Sequence, residues 1–123
     1  MEARSLFDYR EVVGPGIIEE LTILASHLTA RSIKMVSSTK VGGGVAEMLH
    51  RIVPLLNELG IQTTWDVING DEAFFNITKR FHNALQGYKD TFKKSVFTTY
   101  LTYNEKNYHE LDFDEDLIVI HDP

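Results

Sequence analysis

The sequence predicts an α/β fold, an open parallel sheet flanked by helices. Three observations carry this. Helical and strand-like patterns follow one another in the order α, β, α, β, α, α, β, and such alternation implies parallel pairing through right-handed crossovers. The run Thr39-Lys-Val-Gly-Gly-Gly-Val-Ala-Glu47 stands between a strand and a helix, where α/β folds place a ligand-binding turn. Leu117-Ile-Val-Ile120 is a compact apolar run of the kind that forms a buried parallel strand.

Residues 15–28 read as the first helix. Pro15 suits a first-turn position, and Ile17, Leu21, Leu24 and Leu28 fall on one stripe. Residues 32–38 form a short strand with Ile33, Met35 and Val36 as its apolar members. After the glycines, Val45, Met48, Leu49, Ile52, Val53 and Leu56 mark an amphipathic helix that Gly60 stops. Pro54 lies inside that helix, removes one backbone bond and should kink the axis near His50. Residues 61–68 are rich in β-branched and aromatic side chains and read as the second strand. Asn69-Gly70-Asp71 turns the chain, and Asp71 is placed to cap a third helix over residues 72–85, which Gly87 breaks. A fourth helical stretch follows, with Tyr88, Phe92, Val96, Tyr100 and Tyr103 at helical spacing. Asp90 is placed there to pair with Lys93 or Lys94.

Length and composition bound the function. The 123 residues suit one domain covering residues 1–123. A net charge of −6 argues against a nucleic-acid surface, which needs clustered Lys and Arg. Cysteine is absent, so disulfides and thiolate chemistry are excluded. No apolar run approaches the ~20 residues of a membrane span, and the N-terminus lacks the apolar core of a signal peptide. These features point to a cytoplasmic protein. The sequence stops at His121-Asp122-Pro123, directly after an apolar strand. A small core with an uncovered edge predicts pairing with a second copy, as a homodimer or larger oligomer.

The triple glycine admits two readings. Gly42, Gly43 and Gly44 can let a phosphate or sugar approach backbone amides at a helix N-terminus, or they can simply close a tight turn. The dinucleotide fingerprint is absent, since Val45, Ala46 and Glu47 follow Gly44, and no Gly-Lys-Ser/Thr completes a Walker loop. His82, Asn83 and Gln86 lie three and four apart at the end of the third helix. They can converge as donors and acceptors for sugar hydroxyls, or form an ordinary polar helix end. His121 and Asp122 follow a strand at its carboxyl end, the side on which open parallel sheets bind ligands. Asp112, Asp114 and Asp116 resemble the start of a calcium loop, but Leu117 and Pro123 stand where Gly and Glu are required. No His or carboxylate set has zinc spacing, so neither metal nor cofactor is expected.

Three segments in order resemble one family. They are Val41-Gly-Gly-Gly-Val-Ala-Glu-Met-Leu-His-Arg-Ile-Val-Pro-Leu-Leu56, Gly70-Asp-Glu-Ala-Phe-Phe-Asn-Ile-Thr-Lys-Arg-Phe-His-Asn-Ala-Leu-Gln-Gly87, and Ile120-His-Asp-Pro123. Together they resemble the N-terminal domain of trehalose synthases of the retaining GT-B glycosyltransferase type, over residues 9–123. The resemblance implies a Rossmann-like domain, here incomplete relative to a full GT-B N-terminal domain. It implies transfer of glucose from a nucleoside diphosphate glucose to glucose, giving trehalose, with no metal. The Gly42–Gly44 turn would face the donor diphosphate and sugar, and His82, Asn83 and Gln86 the acceptor. His121 would contact the transferred glucose, with Asp122 beside it. A C-terminal glycosyltransferase domain carrying most donor contacts is missing from the sequence, so the chain alone is expected to be inactive. Ser37, and Lys40-Val41 before the glycines, depart from the residues usual in the family. The alternative is a non-catalytic α/β module for sugar binding or assembly, with a nucleotide-binding regulator a distant third.

Overall fold

A computed structural model describes residues 5–121. A 3-10 turn, Leu6–Tyr9, runs into a single-turn helix α1, Arg10–Val13. There follow α2 (Pro15–Ser26), β1 (Ser32–Ser37), α3 (Gly44–Glu58), β2 (Gln62–Val67), α4 (Glu72–Leu85), α5 (Lys94–Glu110) and β3 (Leu117–Ile120). The opening turns leave no periodic signal because local caps make them. The Ser5 hydroxyl accepts from Phe7 N–H, while the Asp8 carboxylate accepts from Ser5 N–H at 2.9 Å. Glu58 at the end of α3 then takes the Ser5 hydroxyl at 2.6 Å and Leu6 N–H at 2.8 Å.

The three strands form an open parallel sheet in the order β2-β1-β3, a Rossmann-like arrangement as expected. Lys34 of β1 stands opposite Thr64 on one side and Ile118 on the other. With its neighbours on both flanks, β1 is the buried strand, and residues Lys34, Met35, Val36 and Ser37 are all inside. The path goes from β1 to one flank, then returns to the other. That reversal opens a crevice beyond the carboxyl end of β1.

Each sheet face is held by its own contacts. On one, α3 lays the His50 ring edge-on against Trp65 at 4.8 Å, and Asn57 brackets Thr63 by accepting its N–H (2.9 Å) and donating to its carbonyl (2.8 Å). On the other, α4 and α5 share an aromatic seam. Phe74 stacks on Tyr103 at 4.9 Å, and Phe81 meets Tyr100 at 5.0 Å and Phe97 at 5.5 Å. Asp71 caps α4 as expected, accepting from Phe74 N–H at 2.8 Å. Gly70 is required by close approach, because a Cβ there would collide with the Phe74 ring.

A buried cation lies on the second face. Lys34 reaches Asp66 at 3.0 Å and Glu115 at 3.4 Å with 5% of its side chain exposed. Burial pulls its pKa down, but the bonds and charges of Asp66 and Glu115 more than offset this and hold it above the usual lysine value.

Four expectations are corrected. Asp90 pairs with Arg80, not with Lys93 or Lys94, through bonds of 2.8 and 2.7 Å. The helix begins only at Lys94, so Tyr88 and Phe92 lie in the preceding connection, which folds Asp90 back over α4. Third, the stripe Ile17, Leu21, Leu24 and Leu28 faces outward, while α2 buries Ile18 and Ala25. Finally, Leu117-Ile-Val-Ile120 is an edge strand with none of its residues fully buried, and Leu117 and Ile120 are exposed. An apolar run marks a strand but cannot say whether neighbours cover it.

Candidate functional site

Past the carboxyl ends of the strands lies a pocket of about 170 Å³. β1 supplies Val36, Ser37 and the following Ser38, the residue after β2 supplies Ile68, and β3 supplies Ile120 and the following His121. Helix α4 adds Phe74, Thr78, Lys79 and His82, and α5 adds Tyr100 and Asn104. Backbone bonds fix the mouth, since His121 N–H reaches the Val36 carbonyl at 2.8 Å and Ile68 N–H the Ser37 carbonyl at 3.0 Å. Both extend the parallel ladders by one residue beyond the strands.

The floor is apolar and buried. Phe74 is 1% exposed and Val36 2%. The walls carry the polar groups, and helical spacing aims them together. Thr78 and His82 are four apart on α4, with Lys79 three from His82, and Tyr100 and Asn104 are four apart on α5. Asn104 donates from Nδ2 to the Tyr100 carbonyl at 2.8 Å. Its Oδ1 has no protein partner among the described residues. His121 places Nε2 3.4 Å from the Met35 sulfur, which leaves Nδ1 as its unpartnered ring nitrogen among the described residues.

Two supports hold α4 at this pocket. The Phe74 amide, and then the Tyr103 hydroxyl, keep the Asp71 carboxyl below the usual carboxylate range. The same carboxylate raises the Tyr103 phenol. Further along α5, Asn107 donates to the Asn69 carbonyl and accepts from Asn69 N–H, fixing the loop that leads into α4.

His82 and His121, nearly forty positions apart in sequence, thus share one pocket. Asn83 and Gln86 are exposed at the end of α4 and do not line it. Gly42, Gly43 and Gly44 also lie outside the lining, in the exposed loop that leaves the pocket at Ser38. Asp122 lies outside the described residues. The loop itself is stapled. Trp65 Nε1 donates to Ser37 Oγ at 2.8 Å, Ser37 Oγ to the Thr39 carbonyl at 3.0 Å, and His50 Nε2 to the Lys40 carbonyl at 2.8 Å. Gly42 (φ +74°) and Gly43 (φ +81°, ψ 157°) adopt backbone that other residues resist. Among the described residues no side chain caps α3, whose N-cap is Gly43.

Sequence reasoning missed Ser38, Thr78, Lys79, Tyr100 and Asn104 as wall residues. The four-residue spacing of Thr78 and His82 was a usable signal. Nothing in sequence tied α5 to the same cavity.

Comparison with known proteins adds the lineage. Residues 35–123 match the family described as the trehalose synthase N-terminal domain. The chain is 44% identical over 124 residues to the trehalose synthase of Thermococcus litoralis, covering 99% of this chain and 30% of that protein. It is 37% identical over 123 residues to the trehalose synthase of Rubrobacter xylanophilus, with 98% and 30% covered. To the trehalose phosphorylase of Grifola frondosa it is 40% identical over 85 residues, covering 68% of this chain and 12% of that protein. The chain spans about 30% of the length of the trehalose synthases it matches.

Proposed function

This chain belongs to the trehalose synthase N-terminal domain family, and on that premise we propose that it is the acceptor-side part of a retaining GT-B glycosyltransferase. The reaction moves glucose from a nucleoside diphosphate glucose to glucose, forming trehalose. The observation that carries this reading is the meeting of His82 and His121 in one polar-walled pocket beyond the carboxyl ends of parallel strands. A cavity of about 170 Å³ is below the ~300 Å³ at which drug-sized sites begin. That volume suits one sugar ring rather than a whole nucleotide sugar. The acceptor glucose therefore occupies the pocket, its hydroxyls taken by Ser38, His82 and Asn104, with Asn83 and Gln86 on the outer rim.

His121 and Asp122 stand at the reacting sugar, where an imidazole can stabilise charge developing on the donor oxygens. The amides at Gly43 and Gly44 are offered to the donor diphosphate. Remaining donor contacts come from a second domain. The greater length of the trehalose synthases supports this. By itself the chain is inactive and pairs with a second copy, and the exposed leucines of α2 with the open β3 edge support that pairing.

Calorimetry with glucose, trehalose and UDP-glucose tests the reading. Heat with glucose or trehalose is expected from the chain alone. Tight UDP-glucose binding is expected only when the remaining domain is present. No heat with any of the three, with the second domain added, would sink the proposal. Sedimentation of the isolated chain tests the pairing, which a concentration-independent monomer would exclude.

A further inference from the structure

The loop that joins β1 to α3 is ordered without being buried. Residues 39–44 are all exposed, so hydrogen bonds rather than burial set their path. The buried Ser37 relays a bond from the Trp65 indole to the Thr39 carbonyl. The Thr39 hydroxyl donates to the Val41 carbonyl at 2.9 Å and accepts from Val41 N–H at 3.0 Å. A carbonyl only accepts, so His50 Nε2 carries the hydrogen in its 2.8 Å bond to Lys40.

Two of these tethers come from outside the loop. His50 lies in the second turn of α3 and Trp65 in β2, and their rings meet at 4.8 Å, close to perpendicular. Lys40 Nζ stands 5.5 Å from the centre of the Trp65 ring, within cation–π range. One histidine–tryptophan pair therefore grips the loop at Ser37 and again at Lys40, just before the glycines. Gly42 (φ +74°) and Gly43 (φ +81°) owe their glycine to backbone conformation. Gly44 has no positive φ, and a Cβ there would meet nothing within 4 Å. Neither strain nor packing calls for glycine at that position, whereas close approach of a ligand to bare backbone does.

We propose that His50 and Trp65 are positioning residues, which hold residues 38–44 in one shape before any ligand arrives and so present the Gly43 and Gly44 amides to a diphosphate. The inference rests on the reading of the glycine turn as the donor diphosphate site. His50 acts through the Lys40 carbonyl and Trp65 through the Ser37 hydroxyl. A loop already in shape loses no freedom on binding, which is what rigidity contributes here.

The test is NMR on the isotope-labelled 123-residue chain, with inorganic pyrophosphate as the probe. Backbone order parameters at Lys40 to Gly43 should be about 0.85 in the unsubstituted chain and fall below about 0.6 in His50→Leu. His50→Gln, which offers an amide N–H in place of the imidazole one, should keep the loop rigid. Trp65→Phe keeps a ring but loses the donor, and should loosen Thr39 and Lys40. His50 is exposed, so its substitution does not endanger the fold. Pyrophosphate should shift the Gly43 and Gly44 amide signals saturably. His50→Leu should weaken that binding about tenfold, the scale of ordering a loop at the moment of binding, and His50→Gln should restore it. Equal affinity in His50→Leu and the unsubstituted chain overturns the positioning role and leaves the diphosphate reading standing, as does a loop already loose in the unsubstituted chain. A loss that His50→Gln does not recover also overturns it, because the bond to Lys40 is then not the cause. No shift at Gly43 or Gly44 in the unsubstituted chain overturns the diphosphate reading itself, and the inference with it.

Discussion

Asn107 and Asn69 bracket each other. The Asn107 side chain donates to the Asn69 carbonyl at 2.8 Å and accepts its N–H at 2.6 Å, although they are 38 positions apart. Asn107 is buried and also donates to the Tyr103 carbonyl. One amide thus joins α5 to the loop that leads into α4. Asn107→Ala should strand buried backbone groups at Asn69 and cost about 2–3 kcal/mol, read as a lower urea midpoint with an unchanged slope. A midpoint within error of the unsubstituted chain would show the bracket to be dispensable.

The glycine turn separates two neighbouring substitutions. Gly43 sits at φ +81°, ψ 157°, a region open almost only to glycine, so Gly43→Ala should cost about 1–3 kcal/mol. Gly44 has no positive φ, begins α3 and faces open space. Gly44→Ala should therefore be neutral or gain up to about 1 kcal/mol. Equal losses at both positions in thermal melts would refute the backbone argument. Any activity lost in a Gly43 variant must accordingly be corrected for its strain.

The Lys34 cluster should behave as a buried ion network. Lys34→Met leaves Glu115, largely buried and with Oε2 already unpaired among the described residues, facing Asp66 without the cation. A loss of about 2–4 kcal/mol is expected, at the lower side of buried-pair values because Asp66 is partly exposed. Lys34→Met with Glu115→Gln should recover part of that loss. No recovery in the double variant would mean the loss comes from packing.

Stability should fall at both pH extremes. Four carboxyls are held below their usual values: Asp71 by the Phe74 amide, Asp90 by Arg80, Asp116 by the Ser32 amide, and Glu58 by the Ser5 hydroxyl. A depressed folded pKa contributes fully above the unfolded value near 4 and is lost as pH falls through the folded one. Lys34 has the opposite sign. Its contribution is complete below the unfolded value near 10.4 and is lost as pH rises through its raised folded value. Urea midpoints should stay level between about pH 5 and 10 with respect to these groups, then drop on either side. A midpoint that rose on acidification would contradict these assignments.

On the proposed reading, in an enzyme completed by a second domain, His121→Ala should lower kcat by about 10²–10³, the usual loss of one transition-state donor, with little change in glucose KM. His82→Ala should do the reverse and mainly raise that KM. Exchanged effects would reverse the roles of the two histidines, and unchanged kinetics would remove both from the site.

Much of the fold is legible in residue pattern. Helix α4 is announced by Asp71 at its cap and apolar residues at helical spacing, and it occupies the residues expected. β3 appears where Leu117-Ile-Val-Ile lies. Both rest on local physics, capping and period. Errors occur where a local pattern had to stand for a tertiary fact. Tyr88 and Phe92 keep helical spacing, yet the chain turns because Arg80 captures Asp90 and Phe92 packs on Phe81. The α2 stripe is apolar but outward, since a pattern identifies faces without saying which one a neighbour covers.

The sequence alone determined the α/β class, the glycine turn, the order of elements and the three motifs that carry the family likeness. Those depend on neighbours a few residues apart. Only the tertiary structure decided that β1 is central, that His82 and His121 meet, and that Lys79, Tyr100 and Asn104 complete their pocket. The reason is the reversal in strand order. Placing β2 and β3 on opposite flanks of β1 brings α4, α5 and the end of β3 over one crevice, a juxtaposition made by long-range pairing that no local spacing encodes.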